Sequence, residues 1–268
     1  MFTSFGFDFL WMLKIPLFCG NIFVLTVQIS FAIVSQRLYI LRFIPIRRKN
    51  KVNKEGDSLK VIGINGSPRK NRNTAIMLKN ALEGSASKGA ETKLIHLYDF
   101  KFQGCISCFA CKKAAGHGMC AMKDEITPLL KEIDTADAIL LGSPIYAGNI
   151  TGVMRCFLER AVFCNVTYRQ DIATYFSHKI NVGFIYTMGT PEKYIDEYGS
   201  IQDLKFMENC IKDIFGSIET LFVFNTYQFD DYSKYEVTFD VEDKEEQRKN
   251  QFPIDCKNAF QLGIKITE

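Results

Sequence analysis

From Leu59 onward, short runs of β-branched and aliphatic residues alternate with stretches of helical periodicity, and this alternation restricts the possible folds more than any other feature. The runs Leu59–Asn65 (LKVIGIN), Thr92–Leu97, Ala138–Ser143 (AILLGS), Ile180–Thr187 (INVGFIYT) and Thr220–Phe224 read as strands. Helices are expected at Thr74–Lys88, Asp124–Asp134, Gly152–Cys164, Pro191–Phe215 and Val241–Leu262, the last interrupted near Pro253. Several strands are apolar at successive positions rather than alternate ones, so both faces must be buried. That is the signature of a parallel sheet covered on both sides by helices. The expected class is α/β, a doubly wound five-stranded parallel sheet of order 2-1-3-4-5 spanning residues 59–268. One connection is out of proportion: residues 98–123 show little helical or strand pattern, whereas most loops in compact domains are a handful of residues long.

The residues before this domain are of another kind. The chain has 268 residues and a formal charge of +3, but residues 1–54 hold eight Lys/Arg and one acid, leaving a net −4 for the rest. A nucleic-acid binder would carry its positive charge on the folded domain, so nucleic acid is not an expected partner. Residues 1–46 form a hydrophobic N-terminal segment in which Ile15–Gln36 runs 22 residues without a charge, long enough to cross a bilayer. Arg37, Arg42, Arg47, Arg48 and Lys49 follow it and only Lys14 precedes it, which by the positive-inside rule leaves the remainder in the cytoplasm, tethered to the inner face of the membrane. The other reading of this segment is upstream sequence translated from a wrongly assigned start. Residues 47–58 are polar and basic, a linker.

Two loops carry the chemistry. After the first strand, Gly66-Ser67-Pro68-Arg69-Lys70-Asn71-Arg72-Asn73-Thr74 leads into a helix, so backbone N–H groups and the positive end of a helix dipole face any anion held there. It has neither the Gly-Lys-Ser/Thr of an NTPase loop nor the G-x-G-x-x-G of a dinucleotide site. After the third strand comes Gly142-Ser143-Pro144-Ile145-Tyr146-Ala147-Gly148-Asn149-Ile150-Thr151-Gly152. In order 2-1-3-4-5 the sheet reverses direction between the first and third strands, and ligands bind outside the carboxyl ends there. Thr187-Met188-Gly189-Thr190 follows the fourth strand on the same rim. A phosphate at one end and a flat ring at the other describe a mononucleotide.

The motifs GSPRKNRNT and GSPIYAGNITG resemble those of the NADPH-dependent FMN reductase family of flavodoxin-like proteins, over residues 59 to about 190. The resemblance implies FMN, with Ser67, Arg69, Lys70, Asn73 and Thr74 at its phosphate, and Pro144, Ile145, Tyr146, Gly148, Asn149, Thr187, Met188 and Gly189 along its ring. It also implies NAD(P)H as co-substrate, a homodimer or homotetramer, and a cytoplasmic location.

Nine cysteines without an export signal argue against a disulfide framework. Four lie in the long loop as Cys105-x2-Cys108-x2-Cys111-x8-Cys120. A C-x2-C-x2-C run offers three thiolates to one cubane, with a fourth arriving from elsewhere. The loop also resembles that of the iron-sulfur flavoproteins, a branch of the same family, although its last gap is longer than usual for that branch. Three readings stay open: a [4Fe-4S] cluster, thiols without metal, or zinc. Cys19, Cys156, Cys164, Cys210 and Cys256 read as core residues, His117 as a solvent-facing loop histidine, and the run Asp240–Glu246 as a solvated helix face.

No H-E-x-x-H or G-x-S-x-G motif is present, so hydrolase chemistry lacks its usual signatures. The expected function is an FMN-dependent NAD(P)H oxidoreductase passing electrons, with or without a cluster, to a quinone, flavin or other small acceptor. The competing class is an iron-sulfur flavoprotein electron carrier that exchanges electrons with redox proteins and never turns over nicotinamide. A third is a membrane-tethered interaction protein with a vestigial site.

Overall fold

The computed structural model describes residues 58–113, 118–195 and 200–268. The hydrophobic N-terminal segment, nearly all of the basic linker, Cys19 and His117 lie outside the described residues, and so do the expectations that rest on them. Among the described residues no helix is long and apolar enough to cross a membrane.

The strands are β1 (Lys60–Asn65), β2 (Glu91–His96), β3 (Ala138–Tyr146), β4 (Asn149–Ile150), β5 (Asn181–Thr187) and β6 (Glu219–Val223). The helices are α1 (Asn73–Ser87), α2 (Thr127–Ile133), α3 (Gly152–Phe163), α4 (Ser200–Phe215), α5 (Val241–Glu246) and α6 (Phe252–Thr267). Five strands form a parallel sheet in the order β2-β1-β3-β5-β6, and the two-residue β4 turns back antiparallel on β3. This is the flavodoxin-like order expected from the sequence, with β5 and β6 as its fourth and fifth parallel members.

Strand alternation sorts the core into two layers. Ile62, Ile64, Ile139, Leu141, Phe184 and Tyr186 point to one face, where they pack with Leu129 of α2, Phe157 of α3 and Ile211 of α4. Val61, Ala138, Leu140 and Ile185 point to the other, against Met77, Leu78 and Ala81 of α1 and Ala259 and Leu262 of α6. Two expectations needed correction. The stretch expected as a Pro191–Phe215 helix opens with a short 3-10 turn at Glu192–Tyr194 and is α-helical over α4. The C-terminal helix runs on to Thr267 and is broken earlier than Pro253, by a π-helical turn at Gln247–Gln251. Pro253 sits in the first turn of α6, where its missing N–H costs nothing.

Candidate functional site

The carboxyl ends of β1 and β3 are pinned together at the reversal of strand order. Gly66 N–H donates to Gly142 O at 2.7 Å, and Thr151 Oγ1 donates to Gly66 O at 2.8 Å. Thr151 also caps α3, accepting from Met154 N–H at 3.3 Å, and its own N–H donates to Ser143 Oγ at 3.0 Å. Asn65, fully buried at the end of β1, accepts from Ser67 N–H at 2.9 Å and shares a 2.9 Å hydrogen bond with His96 Nδ1. Burial lowers the His96 pKa, with Asp99 countering it, which favours the neutral ring that this bond uses. Ser67 Oγ in turn accepts from Arg69 N–H at 3.1 Å. The loop between β1 and α1 is therefore shaped by its own short polar side chains.

Above these ends lies a cavity of about 930 Å³, within the range of small-molecule and cofactor sites. Of the residues singled out in the sequence, Ser67, Arg69, Asn73, Thr74, Pro144, Ile145, Tyr146, Thr187, Met188 and Gly189 line it. Lys70, Gly148 and Asn149 do not. The Lys70 ammonium pairs with Asp99, and Asn149 belongs to β4, its carboxamide accepting from Ile150 N–H at 2.8 Å. Arg72 lines the cavity in place of Lys70. At the end next to α1, Ser67 and Thr74 are buried hydroxyl residues, and Thr74 Oγ1 meets Thr187 Oγ1 at 2.7 Å. The first amides of α1 add donors that have no partner within the helix. This end is built for an anion. Away from that hydroxyl pair, half-exposed Tyr146 together with Met188 and Gly189 forms a wall suited to a flat ring.

The remaining wall comes from residues 225–244, which sequence reasoning missed. Asn73 Nδ2 donates to Tyr227 O at 2.7 Å, the Arg69 guanidinium donates to Gln228 O, and Arg72 forms a two-pronged pair with Asp230. This segment continues the β5 rim, where Thr226 N–H donates to Met188 O at 2.9 Å and Asn225 N–H to Thr190 O at 3.0 Å. The Gln228 side chain rests directly on Gly189, where a Cβ would stand 1.7 Å from its Nε2. Lys244, in the acidic run read as a solvated face, is instead 1% exposed and lines the cavity. Its Nζ donates to Gly189 O and to Asn225 Oδ1, both at 2.8 Å, and lies 4.7 Å from the centre of the Phe239 ring. Burial lowers its pKa, partly offset by Asp243. No local pattern marks it, because a lysine in an acidic run reads as solvated and the π-helical turn at Gln247–Gln251 breaks the helical phase that would tie it to Phe252.

The long loop is fastened to α3. Lys112 Nζ donates to the carbonyls of Phe163, Cys164 and Val166 at and just past its end, and Cys105 N–H donates to Glu159 Oε2 at 3.2 Å. Ser107 and Phe109 both take left-handed backbone angles (φ 54°), folding the chain sharply around Cys108. Cys105, Cys108, Cys111 and Cys120 consequently border one small recess, with Glu159, Arg160 and Cys164. Burial raises the Cys111 thiol pKa, Lys112 opposes the shift, and Cys120 and Cys105 add to it. Burial pushes Cys164 up to about 12, so it behaves as a core thiol, as expected. Arg160 is fully buried beside the recess, paired with Asp124, and its Nε has no hydrogen-bond partner.

Among the described residues no three Cys, His, Asp or Glu side chains gather closely enough for a single metal ion. A cubane, whose irons each take a thiolate of their own, spreads its ligands wider than one ion does. Four thiols beside a buried cation with an unused N–H are the donor chemistry such an anionic group uses, while the recess they border encloses only about 20 Å³.

Residues 59–190 match the family model for NADPH-dependent FMN reductase. An iron-sulfur flavoprotein of Methanocaldococcus jannaschii is 39% identical over 103 residues, 38% of this chain and 52% of the relative. An iron-sulfur flavoprotein of Methanosarcina thermophila is 29% identical over 104 residues, 39% of this chain and 53% of the relative. The chain thus spans about half the length of the curated relatives it matches. Among solved structures, an NAD(P)H:quinone oxidoreductase from Methanothermobacter marburgensis superposes with a TM-score of 0.59 at 12% identity, covering 78% of this chain and 98% of that one. An azoreductase from Bacillus anthracis gives 0.55 at 12% identity, covering 78% and 100%. At such identities the two structures speak for the fold, while the sequence match falls on the two loops that frame the cavity. Over these residues the chain belongs to the NADPH-dependent FMN reductase family, and the curated relatives that it matches are iron-sulfur flavoproteins.

Proposed function

We propose that the chain is an FMN-dependent oxidoreductase that takes electrons from NADH or NADPH and passes them to a quinone, a flavin or another small acceptor. The observation that carries this reading is the two-ended cavity at the reversal of strand order, with buried hydroxyls and helix amides at one end and an aromatic and glycine wall at the other. In this reading Ser67, Arg69, Asn73 and Thr74 hold the phosphate, and Pro144, Ile145, Tyr146 and the Thr187–Gly189 turn flank the ring. Bound FMN would supply the hydride and electron chemistry that no side chain here can perform. The protein's part is to fix the ring and to leave one face accessible, and half-exposed Tyr146 marks the open side.

The recess of four cysteines favours a second reading, an electron carrier that serves protein partners. Cys105, Cys108, Cys111 and Cys120 would hold a [4Fe-4S] cluster there, which supplies one-electron transfer. One preparation tests both. The anaerobically purified chain is titrated with FMN and with riboflavin, analysed for iron, and then mixed with NADH or NADPH and a quinone. Tight FMN binding, weaker riboflavin binding and steady nicotinamide oxidation are expected. FMN binding without turnover of either nucleotide would leave the carrier, and failure to bind FMN would remove both readings. About four irons per chain is the expected value for the cluster, and iron near zero refutes it.

A further inference from the structure

The Lys244 group lies beyond residues 59–190 and plays no part in the reading above. It is a buried lysine on the wall of a cofactor-sized cavity, and each of its three neighbours suits an ammonium ion. Gly189 O and Asn225 Oδ1 can only accept hydrogen bonds from it, and the face of Phe239 attracts positive charge. Asn225 is fixed in the matching orientation from its other side, since its Nδ2 donates to Asp243 Oδ2 at 2.6 Å. Asn225 also takes a left-handed backbone angle (φ 51°), which a carboxamide side chain tolerates better than most. Lys244 therefore locks α5 onto the Gly189 turn at the ring end of the cavity, while Arg69 and Arg72 stand with the phosphate loop. A cation this well buried is little screened by solvent.

We infer that Lys244 is a positioning residue that tunes the electron affinity of the cofactor, holding the Gly189 turn in place and setting a positive charge beside the ring end. The inference rests on the FMN reading. Reduced flavin bears a negative charge that the oxidised ring lacks, so a neighbouring cation favours the reduced form. Asp243, joined to the lysine through Asn225, acts in the opposite sense from a more exposed position.

The test is the midpoint potential of bound FMN, read by dye equilibration in the full-length chain and its variants. In Lys244→Met, which keeps the apolar stem, the preference for reduced over oxidised FMN should drop about tenfold, a potential lower by about 30 mV for the two-electron couple. In Asp243→Asn the potential should rise by a smaller amount, because a carboxamide still accepts from Asn225 while the negative charge is gone. Opposite shifts are the expected result, since damage to the fold alone would not produce them. A potential unchanged in a Lys244→Met protein that still binds FMN overturns the inference. Should Lys244→Met lose FMN altogether, Asp243→Asn decides, and an unchanged or lowered potential there overturns it too. Failure of the unaltered chain to bind FMN is a separate result that strikes the cofactor reading itself, and takes this inference with it.

Discussion

Helices α1 and α6 lie on the same face of the sheet, and they touch backbone to backbone at two glycines. A methyl group on Gly84 would stand 2.0 Å from Phe260 O, and one on Gly263 would stand 1.8 Å from Ala81 O. A carbon rests at about 3.3–3.6 Å from a carbonyl oxygen, so Gly84→Ala obliges the helices to part by roughly 1.5 Å. Neither obstacle is a side chain that can rotate away. Overpacking of this kind costs about 3 kcal/mol, at the upper end of the usual range. The buried hydrogen bond from Ser85 Oγ to Gly263 O, 3.0 Å long, would be stretched as the helices separate, at about 1 kcal/mol. The higher helix propensity of alanine returns about 1 kcal/mol. The net expectation is a loss of about 3 kcal/mol, or roughly 6–12 °C in Tm for a domain of this size.

Calorimetry of the full chain measures that loss, with Gly152→Ala as the control. Gly152 is the first residue of α3 and a Cβ there meets nothing within 4 Å, so the control should melt at or slightly above the unaltered temperature. Because α1 carries the phosphate loop at its N-terminus, Gly84→Ala should also weaken FMN more than riboflavin well below its melting point. Equal melting temperatures for Gly84→Ala and the unaltered chain would show that the two helices do not approach as closely as described, and would refute the reasoning.

Asp124→Asn removes the charge opposite the fully buried Arg160 and should cost about 3 kcal/mol, seen as a fall in the urea midpoint, because an uncompensated guanidinium remains inside. An unchanged midpoint would mean that solvent reaches Arg160. Glu132 gives a pH signature. Burial alone would raise its pKa, but hydrogen bonds from Lys60 and Lys93, each with an N–O distance of 2.9 Å, outweigh it and hold the carboxyl below its ordinary 4.5. A depressed carboxylate contributes stability that is present above the unfolded pKa and is lost as pH falls through the folded one. Glu132→Gln should therefore be less stable than the unaltered chain at neutral pH, with the gap closing below about pH 4.5. A gap of constant size across that range would show that the two lysines do not hold the carboxylate.

The parts of the fold legible in the sequence are those fixed by local pattern. Strand runs such as Ala138–Leu141 are apolar at every position because both sheet faces are covered, and that needs no knowledge of neighbours. The loop after β1 was legible for the same reason, since Ser67 and Asn65 shape it through hydrogen bonds spanning two residues. Lys70 was misplaced because sequence places a cation in a loop without saying which way it leans, and Asp99 takes it outward while Arg72 turns in. The wall from 225 to 244 was illegible because its contacts cross great sequence distances. Asn73 meets Tyr227 across 154 residues, and Lys244 meets Gly189 across 55.

That division carries through to the chemistry. The matched region, residues 59–190, supplies both framing loops and the Gly189 turn. The segment that covers them uses backbone carbonyls toward Arg69 and Asn73, and side chains such as Asp230, Asn225 and Lys244 elsewhere. Carbonyl contacts make no demand on residue type, so the covering segment could change its side chains without losing its hold on the phosphate loop. What it cannot change freely is the Lys244 contact, where a buried cation, an amide in fixed orientation and a glycine turn depend on one another. In the proposed reading the nucleotide contacts come mainly from residues 59–190, and the charge beside the ring comes from the residues that follow.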